Sequence, residues 1–474
     1  MNTNRSKGTV INRGWLTAAL LIVALAGVVS TPAWSQDVWT GASGRSWFTS
    51  RSWSAGVPTS SSTAEILNTT NNPVLLQGSS ASVSTLEVGA SNTLKINDSG
   101  ALYVYGGSIS NAGTINLGDS TLGVGYLDLA SNTTLSGAGT MNMAGGQIGT
   151  NGSNYTLTND AQIQGSGLIG SDVGSLYQNV NVNNEAGGAL IANQAGGTLQ
   201  IGGTGTLTNN GAMFVDDGST LKDTAFLSNF SGSTLAEGIY SVDGAKGNAG
   251  TLELNLGSNS GGNEITTDSA NIELLGPTAS ITDDNGNNAL GTLSTISSTG
   301  SLYVSGGQAF YTAASSFTND GILHLEAGST FTDSDFAESS TGTFFEGINS
   351  GAQSGAGEIN VDGNIILDSG STLLVDVEYG SPAPPNGADY SWIIMDSTNG
   401  GTVNGTFTNV DFYYLPAGDT WNVNYGTPGE VILDVNGATS VPEGGAPWMY
   451  LLLMGATCFG AVVLSRRRQA AVRL

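Results

Sequence analysis

The amino-acid sequence predicts an all-β protein, a right-handed parallel β-helix (β-solenoid) with capping segments. Three observations predict this fold class. Short runs of alternating apolar and polar residues are separated by Gly, Asn, Asp and Ser, and glycine alone supplies 70 of the 474 residues. Alternation over a few residues favours strands with one buried face, and no longer window carries a helical period. Segments of the chain also return in altered copies, which is typical of repeat architectures.

The repeats are the most informative of these observations. Residues 109–122 (ISNAGTINLGDSTL), 207–221 (LTNNGAMFVDDGSTL) and 317–331 (FTNDGILHLEAGSTF) share one pattern, and GALYVYGG at 100–107 returns as GSLYVSGG at 300–307. Each unit is too small to bury its own apolar residues, whereas stacked units complete a continuous core. We expect ladders of Asn, Ser and Thr along the turns. The alternative is an array of β-sandwiches, which would show more hairpins and clear linkers.

The stacked coils are predicted for residues 67–377, which would hold about 13–16 coils of about 20–25 residues. Residues 36–66 carry Trp39, Trp47 and Trp53 and are interpreted as an N-terminal cap. A sugar-binding aromatic platform is the alternative for these tryptophans. Residues 378–435 differ in sequence pattern from the repeats, beginning with three prolines, and are interpreted as a C-terminal β cap.

The N-terminal segment 1–35 has the layout of a signal peptide. A basic leader is followed by the apolar run 15–29 and by Ala33-Trp34-Ser35, whose small flanking residues suit signal peptidase. Cleavage after Ser35 would start the mature chain at Gln36. An uncleaved anchor is the alternative.

The C-terminal segment has three parts in a fixed order. A short linker, 436–445, contains the V-P-E-G motif; residues 446–464 are uncharged and long enough for a transmembrane helix; and 465–474 form a basic tail predicted to stay cytoplasmic. The sorting residues predicted here are Val441, Pro442, Glu443, Gly444, Arg466, Arg467 and Arg468.

This tail resembles the PEP-CTERM sorting signals of Gram-negative bacterial proteins, with Gly444 where that family usually has Pro. The resemblance implies cutting near Pro442-Glu443 by an exosortase-type enzyme and an association with extracellular polysaccharide or biofilm matrix. A plain tail anchor is the alternative. The Trp-rich start resembles the opening module of exported PEP-CTERM and autotransporter-type proteins, and 378–435 resembles the closing segment of autotransporter passenger β-helices.

Charge and cysteine content exclude several function classes. Between residues 36 and 440 there are 37 acidic and five basic residues, a formal charge of −32 that repels nucleic acid. Cys458 is the only cysteine and lies in the predicted membrane helix, so the exported body has no thiolate site.

Candidate catalytic residues are scarce. His324 is the only histidine, and alternation points it away from the apolar Leu323 and Leu325. A zinc site needs several His or Cys ligands. Acidic turns at 283–288, 216–217 and 333–335 follow no calcium-loop pattern, so the sequence leaves metal binding open. We expect no cofactor.

These observations predict a secreted, surface-anchored structural or adhesive β-solenoid and not an enzyme. Its expected location is the cell envelope or surface, and its expected partners are signal peptidase, a sorting enzyme, extracellular polysaccharide and the membrane. Two alternatives remain. One is a β-helix glycan hydrolase with paired carboxylates, and the other is a passenger-type adhesin translocated by a partner barrel.

Overall fold

The computed structural model describes residues 35–41, 45–68, 73–150, 152–170, 179–244, 247–257, 264–349, 355–377, 389–413 and 420–436. Within these ranges the chain forms a parallel β-solenoid of about 13 turns, and its helical content is the 3-10 turn Ser50–Ser52. The predicted all-β parallel β-helix is confirmed, and the alternative of β-sandwiches is wrong because the ladders between coils are parallel. Among the described residues, no helix has the length and apolarity needed to span a bilayer.

The strands follow one another closely along the chain. The first group is β1 (Ser35–Val38), β2 (Ser62–Ile66), β3 (Val74–Gln77), β4 (Ser80–Val88), β5 (Thr93–Asn97), β6 (Ala101–Asn111), β7 (Thr114–Gly118), β8 (Tyr126–Leu129), β9 (Thr133–Thr150), β10 (Tyr155–Gly170), β11 (Val180–Asn184), β12 (Ala189–Ala192) and β13 (Thr198–Gly202). The second group is β14 (Thr206–Asn209), β15 (Ala212–Val215), β16 (Thr220–Asp223), β17 (Phe226–Leu227), β18 (Phe230–Ser231), β19 (Thr234–Asp243), β20 (Thr251–Leu254), β21 (Thr267–Leu275), β22 (Ser280–Asp283), β23 (Thr295–Ile296), β24 (Ser301–Ser305), β25 (Ala309–Tyr311) and β26 (Phe317–Asn319). The third group is β27 (Ile322–Leu325), β28 (Thr330–Asp333), β29 (Phe336–Glu338), β30 (Thr343–Ile348), β31 (Glu358–Val361), β32 (Ile365–Leu367), β33 (Thr372–Val377), β34 (Tyr390–Ser397), β35 (Val403–Gly405), β36 (Asn409–Tyr413), β37 (Thr420–Asn424) and β38 (Glu430–Asn436).

Each coil contributes to three ladders, which we call faces A, B and C. Face A contains β1, β2, β11, β14, β17, β23, β26, β29, β32 and β35, together with parts of longer strands. Face B contains β3, β5, β7, β12, β15, β24, β27, β30, β33 and β36, again with parts of longer strands. Face C contains β8, β13, β16, β20 and β22, and after a break it continues as β25, β28, β31 and β34.

The register explains the sequence repeats. Along face A, Thr63 pairs with Thr85 and Thr85 with Ser108, so successive partners are 22 and 23 residues apart. The matching segments 207–221 and 317–331 each run through faces A, B and C in the same order. Because the repeat unit is one coil, equivalent residues lie at equivalent positions of the stack.

Strands β9 and β10 are long enough to contribute to all three faces, and glycines allow them to turn the corners. At one corner, Gly137 has φ +108°, and a Cβ there would lie 2.3 Å from the carbonyl oxygen of Asn111 in the coil below. Side chains cannot occupy that position without moving the neighbouring backbone.

One apolar core runs through the solenoid from Trp39 to Val435. It is built by alternation, as in β21, where every second residue is buried. At the C-terminal end, β38 pairs antiparallel with β34 and β37, and Trp392 and Leu433 are fully buried there. The parallel ladders begin at β1 and end at β36, so they include residues that the sequence analysis assigns to the caps.

Candidate binding surface

Most of the sorting and processing residues predicted from the sequence lie outside the described residues. These are Ala33, Val441, Pro442, Glu443, Gly444, Arg466, Arg467 and Arg468, together with the segment 446–464. Ser35 is described. It begins β1, where it is exposed, and its Oγ lies 3.2 Å from Oγ of Ser62. Cleavage after Ser35 would therefore leave Gln36 as the first residue of the first rung of face A.

The tryptophans near the N-terminus are interior residues. Trp39, Trp47 and Trp53 are 1%, 0% and 4% exposed, and their rings meet edge to face at centroid distances of 5.0 and 4.8 Å. Nε1 of Trp53 donates a 2.7 Å hydrogen bond to the carbonyl oxygen of Trp47. Because a sugar needs an open ring face, the alternative of an aromatic sugar platform is wrong for these three residues.

The acidic turns hold their carboxylates by local hydrogen bonds. Asp283 accepts from the backbone N–H of Asn285 at 2.9 Å and of Asn287 at 2.8 Å. Within the part of the chain that the structure describes, no three His, Cys, Asp or Glu side chains are placed to share a metal ion.

The outward side of face B has an ordered column of side chains. At one end, Asn142 Nδ2 donates to Asn116 Oδ1 at 2.8 Å, and Gln164 Nε2 donates to Asn142 Oδ1 at 2.7 Å. These three residues are in register on successive coils. An amide is both donor and acceptor, so this outer ladder joins coils without charge.

The same column becomes aromatic farther along face B. Tyr303, His324 and Phe345 are in register on β24, β27 and β30. The His324 ring centroid lies 4.4 Å from that of Tyr303 and 4.0 Å from that of Phe345. The buried Leu323 and Leu325 flank His324, which therefore points outward as alternation predicts.

Glu326 completes this group, which we call the aromatic column. Its Oε1 lies 3.1 Å from His324 Nε2 and accepts a 3.1 Å hydrogen bond from the hydroxyl of Tyr303. The nearby His324 imidazole lowers the pKa of Glu326, while burial raises the pKa of Tyr303. The arrangement offers half-buried ring edges beside a carboxylate. It stabilises neighbouring coils and presents a partly apolar strip on the surface.

The interior holds carboxyl groups that the sequence analysis did not identify. Asp223, Asp268, Glu338 and Glu346 are each 0% exposed. Burial raises the pKa of all four well above the ordinary range. The signal that could have found them is alternation, because each lies two residues from an inward-facing apolar residue: Leu221, Ala270, Phe336 and Phe344 respectively.

Comparison with known proteins gives a limited result. No protein-family model matches the chain, and no curated protein sequence matches it. Among solved structures, the chain is similar to the TibC-catalysed hyper-glycosylated fragment of TibA, at 18% identity and a TM-score of 0.22, with 71% of this chain and 94% of that chain covered. At so low a TM-score the two structures do not superpose as wholes, so the fold assignment rests on the ladders themselves.

Proposed function

We propose that the protein is an exported, surface-anchored scaffold that displays an adhesive surface outside the cell and has no catalytic role. The observation that carries this proposal is the continuous series of parallel rungs along face B, from β3 to β36. Rungs of a parallel sheet are about 4.8 Å apart, so about 13 turns extend for about 60 Å. A stack of this kind is a spacer that holds surface groups at defined heights.

The surface chemistry supports contact with a neutral, hydrated polymer. The outward side of face A repeats small hydroxyl side chains, such as Thr63 and Thr85, whose Oγ1 atoms are 2.8 Å apart. The body has a formal charge of −32, which disfavours binding to polyanions. We therefore propose extracellular polysaccharide or biofilm matrix as the partner.

The anchoring proposal rests on the sequence. The leader 1–35, the V-P-E-G motif and the uncharged segment 446–464 together support export, sorting by an exosortase-type enzyme and attachment at the envelope. Mass spectrometry of the mature protein tests it. A C-terminus near Glu443 is expected, and a chain that still ends at Leu474 would support a plain membrane anchor instead.

The alternative of a glycan hydrolase needs two carboxylates across a groove. The best-defined cleft in the described part of the chain is lined by one carboxylate, that of Glu237. We therefore place the hydrolase second.

A pull-down tests the adhesive function directly. The full chain, purified from the envelope in a non-glycosidic detergent, is mixed with insoluble matrix polysaccharide, and both retention and released reducing ends are measured. We expect retention without release. Release of reducing ends without retention would overturn the proposal.

A further inference from the structure

One coil departs from the regular pattern on face A. In regular coils the turn from face A to face B is short, as between Asn209 and Ala212. Between Leu227 and Ile239 the chain instead forms an antiparallel hairpin, in which Phe230 pairs with Leu235. The second arm of this hairpin, and not β17, continues the ladder to β21. The hairpin therefore opens face A where β17 would otherwise meet the next rung.

The buried amide of Asn229 closes the base of this opening. Its Nδ2 donates to the carbonyl oxygens of Asn209 and Ala236, both at 3.0 Å, and its Oδ1 accepts from the backbone N–H of Asn209 at 2.6 Å. The side chain thus replaces the backbone hydrogen bonds that the next rung would make. A rigid base of this kind keeps the opening from collapsing.

The opening is a cleft of about 300 Å³, at the small end of the range for small-molecule sites. Four of its seven lining residues carry a hydroxyl, one an amide and one a carboxylate, while most of the surface that they show to the cleft is carbon. The lining residues are Thr208, Ser228, Asn229, Ser231, Thr234, Ala236 and Glu237. The hydroxyls of Thr208 and Ser228 are 2.6 Å apart, so they are held as a pair.

The carboxylate in the cleft is kept on a strained backbone. Glu237 has φ +57°, a left-handed conformation that is energetically unfavourable for any residue with a Cβ atom. Gly238 follows it and also has positive φ. Glycine at position 237 would relieve the strain, so Glu237→Gly removes the carboxylate without adding strain to the backbone.

An aromatic ring lies on the same side of the sheet. Phe226 is 60% exposed and comes two residues before Ser228, so both side chains point outward from face A. Phe226 is not one of the lining residues, and it lies along the strand from Ser228 at the edge of the cleft. An exposed aromatic ring and nearby hydroxyls can recognise a pyranose, by its apolar face and its hydroxyl groups.

We propose that this cleft binds one unit of a neutral saccharide, with Glu237 accepting hydrogen bonds from sugar hydroxyls and Phe226 packing against the ring. No Lys or Arg is among the lining residues, so the site suits a neutral ligand and not an anionic one. The inference rests on the proposed function, because it names where a polysaccharide would be held.

Binding of cellohexaose and of maltohexaose, with oligogalacturonate as the anionic comparison, is measured by calorimetry on the full chain. Three variants are used: Glu237→Gly, Phe226→Ala and the control Ser91→Gly. Ser91 also has a left-handed backbone conformation (φ +63°) but lies outside the cleft, so its replacement by glycine controls for the change in the backbone. We expect Glu237→Gly and Phe226→Ala to weaken neutral binding by at least about tenfold. Both glycine variants should raise Tm, which separates binding from folding.

The outcomes distinguish the inference from the function. If the wild-type chain is retained by matrix polysaccharide but the two cleft variants bind all three oligosaccharides as the wild type does, the cleft is not the site and the proposed function stands. Preference for oligogalacturonate would also overturn the inference. If the wild-type chain is not retained by any polymer, the proposed function fails and the inference fails with it.

Discussion

Two regions of the core, an amide ladder on face A and a set of carboxyl groups farther along the chain, hold buried polar groups in different ways. In β10, β11 and β14 the interior of face A carries an amide ladder of Asn159, Asn184 and Asn209. Nδ2 of Asn159 and of Asn184 each donates to the Oδ1 of the next residue of the ladder at 2.8 Å, and all three side chains are fully buried. Farther along the chain, the interior of face A carries Asp268 and Glu338, and the interior of face B carries Glu346.

The later carboxyl groups are less completely bonded. Oε1 of Glu338 accepts from Asn319 at 2.9 Å, and Oε1 of Glu346 accepts from the N–H of Gly357 at 2.6 Å. The second oxygen of each, and Oδ2 of Asp268, has no hydrogen-bond partner among the described residues. An amide supplies a donor and an acceptor and can repeat, whereas a carboxylate supplies only acceptors.

This difference makes the two regions respond to pH in different ways. Burial raises the pKa of Asp268, Glu338 and Glu346, so the folded state favours their protonated forms. Their contribution to stability is complete below the ordinary carboxyl pKa of about 4 and is lost as the pH rises toward the raised values. The amide ladder has no such dependence.

The largest effect on stability is expected when an amide of the buried ladder is replaced by a carboxyl group. Asn184→Asp removes the donor to Asn209 Oδ1 and buries a charge without an opposite charge. We expect a loss of about 2–5 kcal/mol at pH 7, and a smaller loss at pH 4, where the new carboxyl is protonated. Urea unfolding at both pH values measures it.

The control for this variant is Asn116→Asp in the half-buried outer ladder of face B, where solvent screens the charge. We expect a loss under about 1 kcal/mol there. Equal losses at positions 184 and 116 would contradict the comparison.

Converting the acids into amides should have a smaller effect of opposite sign. Asp268→Asn, Glu338→Gln and Glu346→Gln keep an acceptor oxygen and remove the charge. Each is expected to raise stability by about 1–2 kcal/mol at pH 8 and to change it little at pH 4.5. The measurement is the difference between urea midpoints at the two pH values, which should shrink. The exposed Asp160→Asn is the matched control, and an equal shift there would assign the effect to overall charge.

The smallest effect is expected at the aromatic column, outside the core. The nearby His324 imidazole lowers the pKa of Glu326, so this carboxylate contributes stability above its ordinary pKa and loses the contribution as the pH falls. Glu326 is 37% exposed, so Glu326→Gln should cost under about 1 kcal/mol at pH 6 and nothing at pH 3. In a protein that already carries His324→Gln, Glu326→Gln should cause no further loss of stability. A larger loss at pH 3 than at pH 6 would contradict this sign.

Much of the fold could be predicted because its causes are local. Alternation in segments such as β21 and β6, with Gly and Asn at the turns, predicts short strands with one buried side. The return of one pattern at 109–122, 207–221 and 317–331 predicts stacking, because a unit of that size cannot bury its own core. The outward direction of His324 follows from the same alternation.

The candidate site could not be predicted in the same way. The cleft beside Glu237 depends on a hairpin that replaces one turn, and nothing in the local pattern of 226–239 indicates that face A opens there. The aromatic column brings together Tyr303, His324 and Phe345, each of which is 21 residues from the next along the chain. Their contact depends on the register between coils.

By itself the sequence determined the strand-and-turn periodicity, the stacking of coils and the acidic, cysteine-free character of the body. The tertiary structure decided which polar side chains face inward, because a shift of one residue in register moves a side chain from solvent to core. It therefore also decided which carboxyl groups lose their water and have raised pKa values, as Glu346 does beside the turn at Gly357. Alternation acts within one strand, whereas burial and contact depend on the coils above and below.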